Sequence, residues 1–169
     1  MELELIPVHS DDPLCEAARE LYEASFPENE RRLFSELFSD FHGQAEMFAF
    51  LDGETFVGMA DLLSFGDLTH ILYLAVEPRF RDRGYGSGIL ALLRERYAGQ
   101  RIIADVERPE EKSPNEDQRE KRAAFYLKNG YCFTDILYRW EGEDYRIMSN
   151  GGNVTREEFS GFWRFFYSM

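Results

Sequence analysis

Three glycines at alternate positions, Gly84, Gly86 and Gly88, stand where an apolar strand gives way to a helix. Ile71 to Val76 forms the strand and Glu77 to Arg83 the loop. Ile89, Leu90, Leu92, Leu93 and Tyr97 then recur at helical spacing until Gly99 closes the run. The first amides of a helix have no intrahelical partner and point outward, and residues without side chains let an anion reach them. Arg81 and Arg83 add fixed positive charge beside the turn, in a chain whose formal net charge is -13. A pyrophosphate site is expected there; the competing reading is a glycine-rich turn that binds nothing. A P-loop needs Gly-Lys-Ser/Thr after four spacers, and no such Lys is present. The dinucleotide fingerprint needs Gly-x-Gly-x-x-Gly after a tight turn, which this spacing and long loop do not match.

The other elements follow from periodicity and capping. Leu3 and Leu5 alternate with Glu2 and Glu4 in a first strand expected to end at Pro7. Asp12-Pro13 reads as a cap with proline at the first helical position, ahead of Cys15, Ala18, Leu21, Tyr22 and Phe26 at helical spacing. A second helix is expected to carry Leu33, Phe34, Leu37, Phe38 and Phe41 on one face. Met47–Leu51 and Thr55–Phe65 form a hairpin across Asp52-Gly53, and Thr69–Val76 follows. Arg101–Glu107 is a further strand, and Ser113-Pro114-Asn115-Glu116 spells a capping box for a helix that stops at Asn129-Gly130. Tyr131–Trp140 and Tyr145–Ser149 make a second hairpin across Glu141 to Asp144, and Thr155-Arg156-Glu157-Glu158 caps a last helix. The order β-αα-βββ-α-β-α-ββ-α specifies an α/β fold, a mixed sheet with helices on both faces.

Composition narrows the function classes. A chain of 169 residues, 44% hydrophobic and without a dividing linker, suits one compact domain. Its acidity disfavours nucleic acid and anionic membranes and favours a cationic partner. No apolar run reaches the roughly 20 residues of a membrane helix, and the amino terminus lacks the pattern of a secretory signal. Cys15 and Cys132 are too few for a disulfide framework and have no metal-ligand spacing, so a reducing cytoplasm and no metal are expected. Both cysteines are expected in the core.

The motifs resemble those of the GNAT superfamily, the Gcn5-related N-acetyltransferases. The family's acetyl-CoA loop, Arg/Gln-x-x-Gly-x-Gly/Ala, is matched by Arg83, Gly86 and Gly88, after a strand ending Val76-Glu77-Pro78. A second block, Phe-Tyr-x-x-x-Gly-Phe/Tyr, is matched by Phe125-Tyr126 through Gly130-Tyr131. The resemblance spans roughly residues 1–149, leaving 150–169 as an added amphipathic aromatic helix. Many members carry Asn and Ala seven and four residues before the tyrosine, where this chain has Arg119 and Arg122.

The resemblance implies acetyl transfer from acetyl-CoA to a primary amine by direct attack, with no covalent nucleophile. It implies that the loop Arg81, Arg83, Gly84, Tyr85, Gly86, Ser87 and Gly88 holds the cofactor, with Tyr126 also contacting it. Main-chain groups of Leu74, Ala75 and Val76 would pair with the pantetheine arm and polarise the thioester carbonyl. Tyr126 falls at the family's general-acid position, against the reading of a core tyrosine. For the base, His70 falls where one branch has its glutamate, and a solvent-facing strand-end histidine is the alternative. Glu107 competes for that role, or binds a cationic amine; otherwise it is a solvated loop carboxylate. His9 and His42 are expected at the surface. Glu28 and Glu30, in the segment that walls the acceptor site in this family, read as a solvated turn or as contacts for a cation.

Phe159, Phe162, Trp163, Phe166 and Tyr167 give the last helix a stripe too apolar to face water. It is expected either to dock on its own domain or to form a homodimer contact. A non-catalytic acyl-CoA-binding module and a nucleotide-binding domain are the other readings. The amine itself is left open among an antibiotic, a polyamine, an amino acid and a protein N-terminus.

Overall fold

The computed structural model describes residues 1–107 and 116–168, with side chains described outside 108–119. Seven strands hydrogen-bond in the order β1-β2-β3-β4-β5-β7-β6, a mixed sheet accompanied by five helices. The strands are β1 (Leu3–Val8), β2 (Glu46–Asp52), β3 (Thr55–Phe65), β4 (Leu68–Val76), β5 (Arg101–Glu107), β6 (Cys132–Trp140) and β7 (Glu143–Asn150). The helices are α1 (Cys15–Ser25), α2 (Glu36–Ser39), α3 (Tyr85–Arg96), α4 (Glu116–Lys128) and α5 (Arg156–Tyr167). No described helix is long and apolar enough to cross a membrane. The expected element order is the observed one. The described residues form two compact units, Met1–Ser64 with Ile71–Ala98, and Phe65–His70 with Gly99–Met169.

In the first unit, β1 pairs antiparallel with β2 and β2 with β3. The β2–β3 turn works because Gly53 takes a φ of 63°, which a residue without Cβ adopts freely. A core of Ala18, Leu21, Tyr22, Leu37, Met47, Ala49 and Met59 is buried, with Cys15 packed partly against it. Two boundaries differ from expectation. Helix α1 starts at Cys15 because the Asp12 carboxylate accepts the His9 amide at 2.6 Å and closes a turn ahead of the helix. Helix α2 is four residues long and passes into a 3-10 turn, because Arg32 pairs with Asp40 at 3.1 Å and lies over the Phe41 ring at 4.6 Å. Phe41 and His42 then take left-handed φ values of 57°, which no helix can continue.

Strand β3 carries an anomaly. Asp61 is 1% exposed, and neither carboxylate oxygen has a hydrogen-bond partner among the described residues. Burial pushes its pKa well above the usual carboxylate range, against an opposing pull from Arg32. A carboxyl with a raised folded pKa stabilises at low pH; that stability is lost as pH rises from the unfolded value toward the folded one. Asp61→Asn, isosteric with the protonated acid, is therefore expected to match the wild type near pH 4. Its advantage should grow by about 1.4 kcal/mol per pH unit until the folded pKa is passed. Thermal melts from pH 4 to 8 check this; parallel pH profiles would refute it.

In the second unit, β5 and β6 flank β7, antiparallel on both sides. The β6–β7 turn is tighter than expected, with Glu141 and Gly142 at φ 50° and 81° between the strands. Helix α4 stops as expected, with Gly130 at φ 90° and Asn129 Nδ2 donating to the Phe125 carbonyl at 2.8 Å. The expected capping box at Ser113–Glu116 lies outside the described residues, as does the Arg119 side chain. Cys132 is exposed, a correction to its expected place in the core; it opens an outer strand of the sheet.

Helix α5 opens on the expected capping box, with Thr155 Oγ1 accepting the Glu158 amide and Glu158 accepting the Thr155 amide, both at 3.1 Å. Arg101 fastens this end, reaching Glu158 at 2.6 Å, Asp67 at 3.0 Å and the Asn153 carbonyl at 2.9 Å. Phe162 and Phe166 are buried, and Phe65 stacks on Phe165 at 4.0 Å. Each fully buried ring stabilises by roughly 1.5–3 kcal/mol. Two rings of the stripe, Phe162 and Phe166, are thus covered within this unit, whereas Tyr167 is 62% exposed.

Candidate active site

The candidate residues lie in both units. In the first, β4 ends at Val76, and Glu77 turns the chain by donating its amide to the Val57 carbonyl at 2.8 Å. Ala75 is buried, while Leu74 and Val76 are half-buried. Gly58 is required beside them, since a Cβ there would stand 2.8 Å from the Ala75 carbonyl oxygen and 2.9 Å from Ile89. Asp82 and Gly84 both take positive φ, 62° and 86°, and this sharp reversal delivers the chain to the first turn of α3.

The turn presents free donors and positive charge. Arg81, Arg83 and Gly84 are exposed, and a Cβ at Gly84 would meet nothing closer than 4.0 Å. The Tyr85 and Gly86 amides have no hydrogen-bond partner among the described residues, as expected for the start of a helix. Arg81 keeps one N–H on the Val76 carbonyl at 3.2 Å, which fixes its stem and leaves its other N–H groups exposed. Two expected members act differently. Gly88 already spends its amide on the Gly84 carbonyl at 3.1 Å, and a Cβ there would stand 2.9 Å from Leu3 Cδ2, so its bareness serves packing. Tyr85 gives its hydroxyl to Asp52, so only its backbone faces the turn. The residues fit a pyrophosphate-bearing cofactor.

In the second unit, Tyr126 is half-buried on α4, its ring 5.1 Å from both Phe125 and Tyr131. Its hydroxyl has no hydrogen-bond partner among the described residues. Burial raises its phenol pKa, Tyr131 and Asp105 add to the rise, and Arg122 opposes it. Glu107 is buried and receives Arg122 at 2.8 Å, so it is no solvated loop carboxylate. That pair accounts for the arginine at a position where many relatives carry alanine.

His70 is 2% exposed and lies under α5, with Phe159, Phe162 and Trp163 ring centroids 5.5–6.2 Å away. It is therefore not a strand-end histidine facing solvent. Its Nε2 lies 3.0 Å from Asp105 Oδ1, and the Asp105 carboxylate also raises the pKa of the Tyr138 phenol, after burial. Asp105 and Tyr138 were not among the expected site residues. The one signal was the lone charged residue inside the apolar run Ile102 to Val106. Glu28 is exposed and Glu30 half-buried, while His9 and His42 are at the surface as expected.

A profile of the Acetyltransferase (GNAT) family matches residues 14–131. Among solved structures, a Bacteroides thetaiotaomicron protein assigned to the GNAT family superposes with TM-score 0.81 at 24% identity, over 98% of this chain and 97% of that one. A GNAT acetyltransferase of Elizabethkingia anophelis with acetyl-CoA bound gives TM-score 0.60 at 16% identity, over 88% and 97%. The aminoglycoside 6'-N-acetyltransferase of Enterococcus faecium gives 0.64 at 15% identity, over 87% and 96%. No curated protein sequence matches significantly.

Proposed function

The chain belongs to the GNAT acetyltransferase family, and from that premise we propose that it acetylates a primary amine by direct transfer from acetyl-CoA. The observation that carries this reading is the turn at α3, where unpaired amides, a left-handed glycine and two exposed arginines coincide. Acetyl-CoA supplies an activated thioester. Tyr85 and Gly86 donate their amides to its pyrophosphate, with Arg81 and Arg83 alongside. The main chain of Leu74, Ala75 and Val76 pairs with the pantetheine arm, and one amide polarises the thioester carbonyl. The amine loses one proton to solvent, and its nitrogen forms the C–N bond as the C–S bond breaks. Tyr126 donates its hydroxyl proton to the departing thiolate and regains one from the acylated nitrogen. Glu107 is ion-paired with Arg122 at 2.8 Å at this end of β5. The test is thiol release from acetyl-CoA across a panel of amines, with the acetylated amine identified by mass.

A further inference from the structure

Resting on the acetyltransferase reading, we propose that Asp105 is the carboxylate that receives the acceptor's ammonium group, and that His70 is the positioning residue that aims it. Asp105 accepts a hydrogen bond from His70 at 3.0 Å, and its charge acts on the neighbouring Tyr138 phenol. His70 Nδ1 is buried with no partner among the described residues, so a proton there would be orphaned and would destabilise the fold. The ring proton therefore sits on Nε2 and is donated to Asp105. Burial and the adjacent carboxylate raise the Tyr138 phenol, which keeps its hydroxyl a donor.

His70, with its ring proton on Nε2 alone, orients the carboxylate without bringing a positive charge. Among the described residues no Arg or Lys pairs with Asp105, whereas Glu107 two residues on the same strand is matched by Arg122. The Asp105 side chain is 25% exposed while the His70 side chain is 3% exposed, so the supporting group is sealed and the supported one open. Phe159, Phe162 and Trp163 of α5 hold the imidazole in place, and Tyr138 is braced by Phe159 at 5.6 Å and Tyr145 at 5.3 Å. An ammonium has three donors and one charge to satisfy, and a preorganised, uncompensated carboxylate supplies both. The acidic chain steers such a cation toward it. Through His70, the added C-terminal helix thus fixes the carboxylate that binds the acceptor. The substrate class is a cationic aliphatic amine.

The probes are spermidine, kanamycin, a peptide with N-terminal alanine, and the uncharged arylamine p-anisidine. Asp105→Asn is expected to raise KM for the cationic amine that turns over fastest by about tenfold or more. KM for acetyl-CoA and for p-anisidine should stay within about twofold, and calorimetric titration with the same cationic amine should show a matching loss of affinity. His70→Leu should raise the amine KM severalfold with kcat nearly kept, while His70→Gln, whose amide donor can replace Nε2, should restore it. Thermal melts confirm that each variant is folded. Unchanged amine KM in Asp105→Asn, equal losses for charged and uncharged amines, or no rescue by glutamine overturns the inference alone. Wild-type protein that acetylates none of the four overturns the acetyltransferase reading and the inference together.

Discussion

Tyr126→Phe is expected to lower kcat by roughly 10²–10⁴-fold, the usual contribution of a positioned general acid, with acetyl-CoA affinity nearly kept. The substitution removes one hydroxyl, and that hydroxyl has no hydrogen-bond partner among the described residues, so folding should be unaffected. The pH dependence adds a second check. Burial, Tyr131 and Asp105 all push the Tyr126 phenol above its ordinary value near 10. It stays protonated through the physiological range, so kcat should show no alkaline fall attributable to Tyr126 below about pH 10. Stopped-flow thiol release from pH 6 to 10 reads both effects. Wild-type turnover in the phenylalanine variant would leave Tyr126 as a packing residue.

Gly86→Val is expected to remove cofactor binding. A branched side chain in the first turn of α3 would stand where the phosphate oxygens approach the Tyr85 and Gly86 amides. Two hydrogen bonds to a charged group, at about 1.5–3 kcal/mol each, correspond to roughly 10²–10⁴-fold in Kd. Gly86 is half-buried and lies at the start of the helix, so the core around Ile89, Leu90 and Leu93 should persist. Calorimetric titration with CoA measures the loss, and circular dichroism checks the fold. Unchanged CoA binding would contradict the assignment of the loop.

Much of this fold was legible because its signals are local. The run of β5, the Thr155–Glu158 box of α5 and the glycine stop of α4 each depend on residues a few positions apart. The expected second helix failed for the opposite reason. Its apolar spacing is helical, but Arg32 holds Asp40 and Phe41 in another conformation, and that pairing cannot be read from periodicity. The strand-to-helix turn with its free amides was legible in kind, yet a Cβ at Gly88 would meet Leu3, a residue 85 positions away. His70 was singled out in the sequence, whereas its contact with Asp105 was not legible there. Alternation puts His70 on a sheet face but does not reveal that α5 covers it, nor that its ring meets a carboxylate 35 positions later. Asp61 escaped likewise, since a single carboxylate in a strand looks the same in sequence whether or not it finds a partner.

Amine-dependent release of CoA thiol from acetyl-CoA by the wild-type protein tests the acetyltransferase reading most directly. Release is predicted to require an amine, to saturate with it, and to yield one acetylated amine for each thiol. Binding of CoA at the α3 turn with no amine-dependent release from any member of a broad panel would contradict that reading, and would mark the chain as an acyl-CoA-binding module without turnover.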